Sequence, residues 1–154
     1  MGLLSQYNLR GKIKIYKKDN KKVVFTNGCF DLMHKGHKDL LNKASSYGDI
    51  LIVGINSDRS VRSIKGKDRP IENEVTRADK LSKLGCVDHV IIFDSKTPEK
   101  IIKIISPDIL VKGGDYDLSN IIGSHFVIKN GGCVKIVPLT PGYSTTSIIK
   151  SNNR

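Results

Sequence analysis

Short apolar runs alternate along this chain with longer stretches in which apolar residues recur every three or four positions. Runs rich in valine, isoleucine and phenylalanine occupy Lys22–Thr26, Asp49–Ile55, His89–Phe93, Ile109–Lys112 and Val134–Pro138, each the length of one buried strand. Between them the spacing predicts helices over His37–Tyr47, Ser57–Ile64, Glu74–Leu84, Pro98–Ile105, Ser119–Asn130 and Ser144–Lys150. Pro98, following Thr97, reads as a first helical residue after an N-cap, and Gly131-Gly132 after Asn130 reads as a helix stop. Apolar strands separated by helices imply βαβ units with right-handed crossovers. The expected fold class is therefore α/β, a doubly wound parallel sheet of about five strands with helices on both faces.

The first 21 residues fit this pattern poorly. They are polar and lysine-rich, with a weak apolar alternation at Ile13 and Ile15. They are expected to form an arm, helical or extended, packed on a single domain spanning residues 22–154. Composition is that of ordinary globular material, 38% hydrophobic and 27% charged. No apolar run approaches the roughly 20 residues of a membrane span, so no membrane partner is expected. The N-terminus carries no secretory h-region. Cys29, Cys86 and Cys133 form no CxxC pair and leave an odd count. That usage suits a reducing, cytoplasmic setting.

The net charge of +11 admits nucleic acid, a membrane surface or small anionic substrates. The lysines are spread along the chain, and no aromatic residues interleave with them as in single-strand binders. Nucleic acid is therefore not the expected partner. A solvated basic surface with a local anion site is.

In doubly wound sheets, ligands sit beyond the carboxyl ends of the strands. Four unusual segments fall there. The first is Thr26-Asn27-Gly28-Cys29-Phe30-Asp31-Leu32-Met33-His34-Lys35-Gly36-His37. Read as strand, glycine-containing loop and helix start, it places His34 and His37 on one side of a helix N-terminus. Gly36 lets a ligand approach closely. Two imidazoles, free N–H groups and Gly28 suit charge building on a phosphate in transfer. A zinc site from this pair lacks further ligands. Asp31 reads as a loop cap, or as orienting a phosphate through Mg²⁺. Cys29 reads as a small packing residue.

The second segment, Asn56-Ser57-Asp58, precedes Arg59, Arg62, Lys65 and Lys67, a basic flap able to fold over anions. Arg69 and the helical Arg77 are further anion contacts. The third, Lys112-Gly113-Gly114-Asp115-Tyr116, pairs glycines for close backbone approach with a cation and an acceptor. In the fourth, Gly142–Ser147, the hydroxyls before a helix exceed what one N-cap needs. No GxxxxGK[ST] or GxGxxG motif is present, which argues against a P-loop kinase and an ordinary NAD enzyme.

The HxGH ending of Thr26–His37, with Tyr143-Ser144-Thr145-Thr146, resembles the cytidylyltransferase-like nucleotidyltransferases. TNGCFDLMHKGH, INSDRSVRSIKGKDRP at Ile55–Pro70, LVKGGDY at Leu110–Tyr116 and GYSTTSIIK at Gly142–Lys150 look closest to the D-glycero-β-D-manno-heptose 1-phosphate adenylyltransferases. The resemblance runs from about Lys22 to Lys150. It implies a Rossmann-like fold and Mg²⁺-dependent conversion of ATP and a sugar 1-phosphate to ADP-sugar and pyrophosphate, for lipopolysaccharide core synthesis. The implied catalytic residues are His34, His37 and Lys65. The implied nucleotide-binding set is Thr26, Asn27, Gly28, Cys29, Phe30, Gly36, Asn56, Arg77, Lys112, Gly114, Asp115, Tyr143, Ser144, Thr145 and Thr146. No protein side chain is assigned to a metal. The bifunctional members carry a sugar-kinase domain first. With Met1 close to the domain, this chain is expected to be the stand-alone form, and a homodimer is left open by the family alone.

Glycerol-3-phosphate cytidylyltransferases carry an arginine where this chain has Leu139, and they lack the Lys-Gly-Gly-Asp-Tyr form. Both departures favour the heptose reading. A cytidylyltransferase acting on an alcohol phosphate, and a non-catalytic nucleotide- or nucleic-acid-binding module, remain the alternatives.

Overall fold

The computed structural model describes residues 2–114 and 120–138. Its elements in chain order are β1 (Gly2–Leu4), α1 (Gln6–Lys18), β2 (Val23–Gly28), α2 (Lys35–Ser45), β3 (Ile50–Asn56) and α3 (Asp58–Lys65). They continue with α4 (Glu74–Ser82), β4 (His89–Phe93), α5 (Glu99–Ile105), β5 (Ile109–Gly113), α6 (Ser124–Lys129) and β6 (Cys133–Val137). The strands form one six-stranded sheet in the order β1-β4-β3-β2-β5-β6. Every neighbouring pair is parallel.

Side chains alternate faces along each strand, and two apolar layers result. Phe25, Ile52, Ile91 and Leu110 face Leu9, Ile13, Ile102 and Val127 on one side of the sheet. Val24, Leu51, Val53, Val90 and Val111 face Leu41, Ala44, Ala78 and Leu81 on the other. Gly54 of β3 leaves room for two rings. A Cβ there would lie 2.7 Å from Phe25 Cζ and 3.3 Å from the Phe93 ring. These layers give the doubly wound architecture expected from the alternating pattern, with one strand more.

The additional strand comes from the segment expected as an arm. Gly2, Leu3 and Leu4 pair with His89, Val90 and Ile91 at the sheet edge. Ser5 then caps α1 by accepting from Asn8 N at 3.2 Å. Leu9 and Ile13 of α1 are buried in the core. Three strand residues and a helix whose apolar residues are interspersed with Arg10 and four lysines carry too little periodicity to be read from sequence.

Helix boundaries differ in two informative places. α2 begins at Lys35 because His34 caps it, ahead of the predicted start at His37. Pro98 is the N-cap of α5, not its first helical residue; its carbonyl accepts the first intrahelical bond, from Ile102 N at 2.9 Å. The glycine stop after α6 forms as expected. Gly131 has φ +86°, Gly131 N donates to Ile128 O, and Gly132 N donates to Val127 O. This is the Schellman pattern. The predicted helix over Ser144–Lys150 lies outside the described residues.

Candidate active site

β3 and β4 lie to one side of β2, and β5 and β6 to the other. Chain order therefore reverses between β2 and β5. The crevice beyond their carboxyl ends is the switch point at which open α/β sheets bind ligands. A cavity of about 170 Å³ opens there, lined by Asn27–Asp31, His37, Leu40, Lys65, Lys112 and Gly113. A second, of about 190 Å³, lies beyond Asn27 and Lys112, which line both.

The paired histidines build the start of α2. His34, in extended conformation, accepts from Gly36 N through Nδ1 at 3.1 Å. His37 Nδ1 accepts in turn from His34 N at 3.2 Å. The result is a capping box made of imidazoles. The rings stack at 3.8 Å between centroids, 20° apart, with Phe30 tilted against His37 at 5.2 Å. Burial holds His34 below its ordinary pKa. For His37, burial first, then the charges of His34 and Lys65, lower the value to about 4, against the pull of Asp31. Both rings are therefore neutral near pH 7. Because Nδ1 accepts in each, the ring proton of the neutral form sits on Nε2.

The loop ahead of α2 is tightly bent. Phe30 and Leu32 both have φ +51°, a left-handed conformation uncommon outside glycine. Asp31, 1% exposed, anchors it. Its carboxylate accepts from Ile71 N at 2.8 Å, Glu72 N at 2.9 Å and Arg69 Nε at 3.2 Å. Leu32 N donates to Glu72 Oε1 at 3.1 Å. Asp31 thus fastens the loop to residues 69–72; it does not cap α2.

Arg77 lies behind this loop, fully buried. Its guanidinium donates to Cys29 O at 2.8 Å, Asn56 O at 2.7 Å, Glu72 O at 3.0 Å and Asp58 Oδ1 at 2.8 Å. With no exposed surface and its donors spent on the protein, it braces the site from behind. The expected direct nucleotide contact does not fit this placement. Asn56 is likewise turned into the protein: its amide donates to Ser60 Oγ at 2.9 Å, and its side-chain carbonyl accepts from the Cys29 thiol at 3.7 Å.

Lys112 stands at the end of β5, its pKa lowered by burial. Gly114 follows with φ +114°, where a side chain would be strained, and its N donates to Val137 O at 2.9 Å. Thr26 Oγ1 is buried and has no hydrogen-bond partner among the described residues. The crevice thus brings together Asn27, Gly28, Cys29, Phe30, His37, Lys65 and Lys112, with Gly36 at the helix start. Asp115, Tyr143, Ser144, Thr145 and Thr146, like Leu139, lie outside the described residues. The bracing by Asp31 and Glu72 carries no sequence signal, because it depends on which loops meet. Among the described residues, no three His, Cys, Asp or Glu side chains group as a metal site.

A parallel sheet whose switch-point crevice is lined by His37, Lys65 and Lys112, with His34 stacked on His37 at the helix start, is built as an HxGH-type nucleotide site. The cytidylyltransferase-like family model matches residues 25–151, and the chain belongs to that family. Relatives called Bifunctional protein HldE include one from Marinomonas sp. (strain MWYL1), 46% identical over 99% of this chain. Another, from Geobacter metallireducens, is 50% identical over 92%. The chain covers 32% and 29% of those two proteins, about a third of their length. The crystal structure of the lipopolysaccharide core biosynthesis protein from Thermoplasma volcanium GSS1 aligns at TM-score 0.63 and 30% identity, over 78% of this chain and 97% of that one. Pantothenate synthetase from Thermus thermophilus shares the fold, at TM-score 0.64 and 15% identity over 90% of this chain and 62% of that one.

Proposed function

We propose that this chain is an adenylyltransferase that makes ADP-heptose and pyrophosphate from ATP and D-glycero-β-D-manno-heptose 1-phosphate. The observation that carries the reading is the pair of stacked histidines at the helix start, each accepting a backbone N–H through Nδ1, with His37 lining a cavity together with Lys65 and Lys112. The motif resemblance and the lipopolysaccharide-core name of the Thermoplasma volcanium protein support the sugar phosphate as acceptor.

In the reaction, an oxygen of the sugar phosphate attacks the α-phosphorus of ATP in line. The new P–O bond forms as the bond from the α-phosphorus to the bridging oxygen breaks, and pyrophosphate leaves with that electron pair. The attacking phosphate is already ionised near neutral pH, so the protein's contribution is alignment and charge stabilisation. The Nε2–H groups and the two lysines, with the helix N-terminus, meet charge on the transferring and leaving phosphates. Mg²⁺ enters as part of the nucleotide substrate, carried by its phosphates.

Residues 22–154 form the transferase unit in this reading, with 1–21 built onto it, and the setting is the cytoplasm. No helix among the described residues is long and apolar enough to cross a membrane.

The test is pyrophosphate release with ATP or CTP, each paired with heptose 1-phosphate or glycerol 3-phosphate. Turnover with ATP and the heptose is expected. Preference for CTP, or no pyrophosphate from any pair, overturns the reading.

A further inference from the structure

Helix α1 carries a second apolar stripe, on the side away from the core. Leu9 and Ile13 turn inward. On the other side Tyr7, Gly11 and Ile15 follow at a spacing of four residues, so they share one face, and with Leu4 at the end of β1 they line an open groove of about 490 Å³. Tyr7 is 88% exposed and Ile15 56%.

Gly11, at the centre of the stripe, is the informative residue. Proline aside, glycine is the poorest residue for a helix interior. Nothing among the described residues requires it here, because a Cβ at this position meets no atom within 4 Å. A notch in an apolar stripe lets a second helix seat a side chain and bring its axis close.

Charge selects the occupant. Arg10 and Lys12 line the groove, Lys14 and Lys18 extend along the same exposed helix, and Gln6–Lys18 contains no acidic residue. A second copy of this chain would set the same cations against these. A helix with an apolar ridge flanked by carboxylates complements both the notch and the charge.

We propose that the outward face of α1 is a docking groove for an acidic amphipathic helix of a partner protein. The groove shares no lining residue with the cavities at the switch point, so docking and nucleotide transfer are separable.

The probe is a labelled helical peptide with leucines at i, i+4 and i+7 and glutamates on both flanks. Its controls are the same peptide with lysines for glutamates, and vesicles of phosphatidylserine and phosphatidylcholine. Fluorescence anisotropy should show saturable binding of the acidic peptide alone. Gly11→Leu, which fills the notch with a good helix former, and Tyr7→Ser should each weaken binding at least 10-fold, with melting temperature and pyrophosphate release kept in Gly11→Leu. Absence of binding, equal binding of the two peptides, or an unchanged affinity in Gly11→Leu overturns the proposal. Vesicle binding that Gly11→Leu abolishes, without peptide binding, assigns the face to a membrane and overturns it as well.

Discussion

Arg77 and Cys29 are joined by a 2.8 Å hydrogen bond from the buried guanidinium to the backbone carbonyl that opens the histidine loop. The same guanidinium holds the last carbonyl of β3, that of Asn56, at 2.7 Å. One side chain from α4 therefore fixes the distance between two strand ends that border the crevice.

Arg77→Ala leaves the Asp58 carboxylate and three carbonyls without their donor. Asp58 keeps a quarter of its side chain exposed, so the loss comes chiefly from the buried acceptors left unsatisfied, roughly 1–3 kcal/mol each, and chemical denaturation should read it as a lower unfolding midpoint. Arg77→Lys keeps the charge without the planar fork. It should recover part of the stability and little of the turnover, because a single ammonium cannot span the same four acceptors. Full activity in Arg77→Lys would refute the bracing role.

His34 performs two tasks that substitution can separate. His34→Ala loses the N-cap, about 1 kcal/mol, as well as the Nε2–H donor. His34→Asn restores a favoured cap and should recover the stability, but turnover should stay down by roughly 10²–10³-fold, the scale of one transition-state donor. His37→Ala should lose activity on the same scale with the fold retained. The comparison is kcat against thermal melting for the three variants.

Stability should depend on pH through His37. Its folded pKa of about 4 lies below the ordinary 6.5, so as pH falls the unfolded chain takes up the proton first. The stabilisation is complete above about pH 6.5 and is lost progressively towards pH 4. His89, also lowered by burial, acts in the same direction. Melting temperatures measured from about pH 7.5 to about pH 4.5, which brackets most of that window, should fall, and His37→Asn should flatten the slope without abolishing it.

Lys112 is the cation shared by both cavities, and Lys112→Met removes it. Turnover should fall by roughly 10²-fold or more, with a higher KM for at least one substrate. A fully active Lys112→Met variant would contradict this placement.

The sheet was legible where burial on both faces forces unbroken apolar runs, as at Val23–Phe25 and Leu51–Val53. The turn from β2 into α2 was legible too, because glycines and histidines at a strand end have few structural uses. Arg77 shows where such reading stops. Its helical position was evident from spacing, but whether a guanidinium faces a cavity or the protein depends on which loops pack over it. Asp31 is a similar case: the 69–72 segment it holds is remote in sequence. The β1–α1 segment failed for a different reason, since a three-residue strand shows no period and lysines masked the inward stripe of Leu9 and Ile13.

The position of β1 also bears on the order of assembly. Gly2–Leu4 precede the other five strands of the sheet, yet their neighbour in it is β4, which begins at His89. That contact spans more than half the described chain, and such long-range pairings close late because their loop entropy must be met first. Until then β4 is the open edge of the sheet, and its Val90, Ile91 and Ile92 form the kind of bare apolar rim that recruits other chains. The first strand in chain order is thus the one that seals the sheet, and deleting Gly2–Leu4 should make the protein prone to aggregation before it affects the crevice.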